Sequence, residues 1–212
     1  MPLPHLHRLL SAPNVARHSL GALPHLLANP SSSVTVVNLV FPPTLRPIHP
    51  DGFGYLIPRP PTDYPASSLG MLGTVFDSCA LPTQDRLLPS PTASASSSSS
   101  RFTKLTVMLG GPYGAPTPAP SSSAFLPTLL ETLRRHLGRA EPMPEPCLVR
   151  IREHQDCIPI PTVGHAARVA ELTAAVRERW GPNAAVIGAG VGGVSVGDCV
   201  ESGRRAAYGL RV

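Results

Sequence analysis

The stretch AAVIGAGVGG, residues 184–193, reads as a buried strand running into G-x-G-x-x-G, with Gly188, Gly190 and Gly193 in the three glycine positions. That fingerprint predicts a dinucleotide-binding fold when it opens a nucleotide-binding half and an acidic residue about 20 positions on holds the ribose. Here only 19 residues, 194–212, follow Gly193, so no second strand follows to present the acid. In a chain with 18 glycines, a Gly-rich turn becomes the favoured reading. A strand that delivers a glycine turn to a helix N-terminus still gathers N–H groups at a positive dipole end, which can face an electron-rich or anionic ligand whatever the fold.

Upstream of this stretch the pattern is a series of strands before the helices, with no βαβαβ succession. SSSVTVVNLVF (31–41) alternates and is rich in β-branched residues, so it is expected as a strand. GFGYLIP (52–58) and GMLGTVFDSCALP (70–82) are short apolar runs bracketed by Gly and Pro, expected as neighbouring strands of one antiparallel sheet, with FTKLTVMLGG (102–111) as a third. Helical spacing is expected over 16–29, over 125–138 with Gly138 as a stop signal, over 166–181 and over 195–210; CLVRIREHQDCIPIPTVGH (147–165) reads as a strand that breaks at its prolines, and AAVIGAG as another.

Composition bounds the rest. A chain of 212 residues can bury one real core and is too short to be confidently two domains. Its 27 prolines are more than twice the usual share of about 5%. The Ser-rich tract SPTASASSSSSR (90–101) cannot bury enough apolar area to order itself, and disordered insertions are expected near 88–101 and 112–124. The net charge is +5, but charged residues are only 15% and Arg134–Arg135 and Arg204–Arg205 are the only adjacent basic pairs, which argues against a nucleic-acid partner. Cys79, Cys147, Cys157 and Cys199 have no zinc spacing, so no metal is expected and reduced thiols are the simplest reading. No apolar run approaches the ~18 residues of a spanning helix. The leader up to Leu27 precedes the first acid, Asp51, and could be read either as a mitochondrial transit peptide or as an ordinary helix interrupted by prolines; the second is the expectation.

GGVSVGDCVESGRRAA (192–207) resembles the extreme C-terminus of the protoporphyrinogen oxidase family of flavoproteins in haem biosynthesis. VVNLVF, HPDGFGYLIP, LGTVFDSCALP, LTVMLGG and CIPIPTVGH agree with that family in the family's order, so the resemblance covers residues 20 to 212. It implies an α/β (α+β) class, as part of an amine-oxidase-like flavoprotein. The implied parts are a mixed or antiparallel substrate-domain sheet and the C-terminal strand-turn-helix of the FAD domain, with the N-terminal Rossmann half absent. The implied division is an uncertain leader at 1–17, part of the substrate domain at 18–165 and part of the FAD domain at 166–212.

The resemblance also implies roles. Gly193, Val194, Ser195 and Val196 would approach FAD, with the following helix aimed at the flavin, and His154 in the segment before CIPIP would contact it. Ile160 and Pro161 stand where the family reads I-P-Q-Y, a departure in that contact. The apolar substrate pocket carries over to Gly54, Leu56, Val75 and Met108. Asp198 suits a helix cap, His165 a cap or turn and Cys199 a packed position. No catalytic acid, base or nucleophile is implied, because the cofactor supplies the redox chemistry. The partners implied are protoporphyrinogen IX, O2, an N-terminal half of the enzyme and a peripheral membrane contact at the mitochondrial inner membrane, with a homodimer as a further expectation. The activity would be that of an FAD-dependent protoporphyrinogen oxidase, the chain by itself being inactive; the alternative is a non-catalytic remnant or interaction module of the same fold.

Overall fold

Alternation along residues 31–41 does what it predicts. In the computed structural model, which describes residues 3–12, 23–58, 69–81, 102–111 and 113–209, Ser31–Phe41 forms β1 and buries Thr35, Val37, Leu39 and Phe41 while the intervening residues stay half-exposed. β2 (Gly54–Leu56), β3 (Met71–Phe76), β4 (Thr103–Gly111) and β5 (Leu148–Pro159) complete a five-stranded sheet in the order β2-β3-β4-β1-β5. The β2–β3, β3–β4 and β4–β1 pairs are antiparallel. The expected strand over 70–82 ends at Phe76, where Asp77–Ala80 turns into the short helix α2.

One face of the sheet is the core. Leu105, Val107 and Leu109 on β4 line up with Val37, Leu39 and Phe41 on β1, and α3 (Phe125–His136) lays Phe125, Leu129 and Leu133 against them. The i, i+4, i+8 spacing puts all three on one side of the helix. Each is nearly or fully buried, a gain of about 1.5–3 kcal/mol per side chain. Pro127 sits in the first turn, where its missing N–H costs no helical bond.

The residues fall into two compact units, Ser33–His154 and Met1–Ser32 with Gln155–Val212. The first holds the sheet core and α3. In the second, α1 (Leu3–Leu10) and α4 (His165–Trp180) share a smaller core of Leu3, Leu23, Leu26, Leu172 and Val176. The start of the leader is thus a packed amphipathic helix. The same unit ends in α5 (Val196–Gly209), which buries none of its residues.

Three expectations need correction. The helix expected over 16–29 is a turn in its described part, because Pro24 and the positive φ of His25 interrupt it; residues 16–22 lie outside the described residues. AAVIGAG is not a strand: Ala184 and Val186 pack on the smaller core, but no described strand pairs with the segment. The stretch near 112–124 is an ordered set of turns from Tyr113 on, with Tyr113 N–H donating to Gly110 O, Ser122 N–H to Ala119 O, and Pro116 buried. The tract 88–101 lies outside the described residues.

Candidate functional site

Directly paired residues in an antiparallel sheet share a face. The register therefore fixes what the side opposite α3 presents. One row across four strands is Val36, Met108, Gly73 and Leu56, and the next is Asn38, Thr106, Val75 and Gly54. The four residues that the family resemblance assigns to substrate, Gly54, Leu56, Val75 and Met108, thus lie in two adjacent rows of one face.

That face is apolar at its β2–β3 end, where Leu56 leans over Gly73, its Cδ2 3.0 Å from where a Cβ there would stand. Gly54 and Gly73 contribute no side chains, and neither has room for one. A Cβ on Gly54 would lie 2.2 Å from the carbonyl oxygen of Thr74, and one on Gly73 would lie 2.5 Å from that of Tyr55. Leu56 is 78% exposed, while Val36, Val75 and Met108 are half-buried.

A polar relay borders the apolar row. Asn38 Nδ2 donates to Thr106 Oγ1 at 2.8 Å, and Thr106 Oγ1 donates to Asp77 Oδ2 at 2.7 Å. Sequence reasoning did not single out Asn38, Gly73, Thr106 or Asp77. Alternation marks Asn38 and Thr106 as facing away from the core, but only the register shows that they meet.

Tyr55, on the core face, places its hydroxyl 3.3 Å from His136 Nδ1. Burial pushes the Tyr55 phenol up; burial, with Arg135 adding to it, pushes the His136 imidazole down. The pair lies on the α3 side of the sheet and not on the apolar face.

The glycine turn serves its own chain. A Cβ on Gly190 would come within 2.6 Å of Leu3 Cγ, and one on Gly193, whose φ is +138°, within 2.5 Å of Asp198 Oδ2. Ser195 and Asp198 form a capping box: Asp198 N–H donates to Ser195 Oγ at 3.0 Å and Ser195 N–H to Asp198 Oδ2 at 3.2 Å. Asp198 is therefore a cap, as its position in the first turn suggests. Val194 and Val196 remain on the outside, 50% and 83% exposed. Val196 and Gly197 occupy first-turn positions whose N–H groups have no intrahelical acceptor.

The other candidates lie on other elements. His154 is exposed on β5 in the sheet unit. His165 opens α4, its Nδ1 2.9 Å from Asn29 Nδ2, which fits the turn role. Cys199 is half-buried and free. Among the described residues no group of His, Cys, Asp or Glu could hold a metal, and no helix is long and apolar enough to cross a membrane.

Helices packed on a sheet whose β2–β3, β3–β4 and β4–β1 pairs are antiparallel make this a mixed α+β fold. No protein-family model matches the chain. A solved structure from Exiguobacterium sp. 255-15, provisionally assigned as a protoporphyrinogen oxidase, superposes with a TM-score of 0.66 at 22% identity, over 98% of this chain and 39% of that one. Human protoporphyrinogen oxidase is 34% identical over 182 residues, which are 84% of this chain and 33% of the human protein. The protoporphyrinogen oxidase of Schizosaccharomyces pombe is 28% identical over 193 residues, 87% of this chain and 34% of the yeast protein. This chain is a homologue of the protoporphyrinogen oxidases, and it spans about a third of the length of the curated relatives it matches.

Proposed function

We propose that the chain is part of an FAD-dependent protoporphyrinogen oxidase in haem biosynthesis, contributing the surface that holds the tetrapyrrole and one contact to the flavin. The observation that carries this reading is the gathering of Gly54, Leu56, Val75 and Met108 on one sheet face, where Gly54 and Gly73 carry no side chains of their own. An apolar floor suits a macrocycle bound through area rather than many polar contacts. In the whole reaction protoporphyrinogen IX loses six electrons and six protons, and three O2 become three H2O2.

The turn before α5 fits a flavin edge. Val194 and Val196 face outward, the capping box satisfies Ser195 and Asp198, and the first-turn N–H groups remain for a carbonyl or anionic nitrogen. FAD would supply the electron acceptance; this chain would orient the ring and exclude water. Gly193 lets the turn close on Asp198, Val194 and Val196 provide apolar contact, and His154 is assigned to the flavin by the family resemblance alone.

This reading divides the chain into a substrate part and a flavin part, the flavin part ending in α5. Location at the inner mitochondrial membrane, with peripheral contact, follows from relatedness to the eukaryotic enzymes and is part of the proposal. Titrating the purified chain with protoporphyrin IX and following porphyrin fluorescence tests it. Saturable binding that Leu56→Asp weakens at least tenfold is expected; no binding, or binding indifferent to Leu56→Asp, favours a non-catalytic remnant of the same fold.

A further inference from the structure

The residues assigned above leave Asp77 unused, although its carboxylate lies on the same face. Thr106 has a single hydroxyl proton, and it goes to Asp77 Oδ2 at 2.7 Å, so Thr106 Oγ1 can only accept from Asn38 Nδ2, which it does at 2.8 Å. The relay therefore has one direction and holds the carboxylate in place. Thr106 sits between Asn38 and Val75 in its row, one row from Met108. Helix α2 does not explain this arrangement. Its N-cap, Phe76, makes no side-chain cap bond, and Asp77 reaches across to β4. An ionised carboxylate has about four acceptor positions, of which the relay takes one.

We propose that Asp77, held by Thr106 and Asn38, recognises the pyrrole N–H groups of a reduced tetrapyrrole and makes this face prefer the substrate macrocycle to its oxidised product. The inference rests on the reading of this face as the tetrapyrrole site. A porphyrinogen has four pyrrole N–H donors and saturated bridging carbons, so its rings tilt and its N–H groups can turn toward one side. A porphyrin is planar and keeps two N–H groups inside the ring. A fixed carboxylate beside an apolar floor can accept from the first and has little to accept from the second, while the floor serves both. Asp77 is on this account a recognition residue, with Thr106 and Asn38 as positioning residues.

The test uses the full chain loaded with protoporphyrin IX, displaced by protoporphyrinogen IX in the absence of oxygen and in dim light. The wild-type chain is expected to bind the reduced ring about tenfold more tightly than the oxidised one, the size of one good charge-assisted hydrogen bond. Asp77→Asn is expected to bring that ratio near one with little change in protoporphyrin IX affinity. Thr106→Val keeps the carboxylate but frees it, and is expected to reduce the ratio by a smaller factor. Leu56→Asp is expected to weaken both forms together. An Asp77→Asn chain that keeps the ratio, or loses both affinities equally, overturns the inference while leaving the reading of the face in place. Failure of the wild-type chain to bind protoporphyrin IX, or indifference to Leu56→Asp, overturns that reading and this inference with it.

Discussion

Gly54 lies directly opposite Val75, so close that a Cβ on Gly54 would stand 2.2 Å from the neighbouring Thr74 carbonyl oxygen and 2.9 Å from Val75 Cα. Both obstacles are backbone, and neither can rotate away. The φ of Gly54 is +148°, a conformation that side chains rarely adopt. Gly54→Ala is therefore expected to destabilise the chain by roughly 1–3 kcal/mol. Urea unfolding checks this, and a midpoint equal to wild type would mean that β2 can move off β3 at no cost.

The two faces of the sheet should respond differently to truncation. Leu129 on α3 is fully buried in the core, so Leu129→Ala is expected to cost about 2–5 kcal/mol through lost transfer energy and a residual cavity. Leu56 is 78% exposed on the opposite face, so Leu56→Ala should change stability by less than about 0.5 kcal/mol while weakening porphyrin binding. Paired unfolding and fluorescence titrations separate the outcomes. Equal losses of stability would refute the assignment of the two faces.

Glu131 holds two arginines at once, Arg134 Nε at 2.7 Å and Arg135 Nε at 2.9 Å. Hydrogen bonds from Arg134 and then Arg135 hold its carboxyl at about 2, against an ordinary value of 4.5. A carboxyl depressed in the folded state contributes stability above its unfolded value and loses that contribution as pH falls toward its folded one. The window is therefore pH 4.5 down to about 2. Because the fork is solvent-exposed, the effect should be small. Glu131→Gln should flatten the slope of stability against pH inside that window and leave it unchanged at neutral pH, as read by denaturant midpoints at a series of pH values.

The same arrangement recurs at Glu201 with Arg204 and Arg205, so both adjacent arginine pairs of the sequence are helix-surface forks. That much was legible in the i, i+3 and i+4 spacing. The strands were legible too wherever one face is buried, because alternation along 31–41 and 103–111 records which residues meet α3. AAVIGAG misled because an apolar run next to glycines looks alike whether it pairs in a sheet or packs on α1. Gly190 owes its place to Leu3, a contact nearly the whole chain away in sequence. Gly54, Leu56, Val75 and Met108 were singled out through the family resemblance, but Asp77 was not. Its link to Thr106 depends on the β3–β4 register and on the irregularity between Met71 and Gly73 that sets it.

The capping box at the start of α5 makes a prediction that separates folding from flavin contact. Ser195 Oγ and Asp198 Oδ2 each accept a backbone N–H from the other residue, and removing such a cap typically costs about 1 kcal/mol. Helix α5 has no buried residue to compensate within its unit, so Ser195→Ala should fray its first turn, visible as lost helical circular dichroism and faster amide exchange at Val196 to Cys199. Ser195→Thr and Ser195→Asp preserve an acceptor and should retain the helix; the carboxylate of Ser195→Asp adds a second negative charge beside Asp198. If the turn faces an anionic flavin, Ser195→Asp should weaken FAD binding while Ser195→Thr leaves it intact, measured by flavin fluorescence. Equal FAD affinity in these two helix-competent variants would remove the turn from the flavin site.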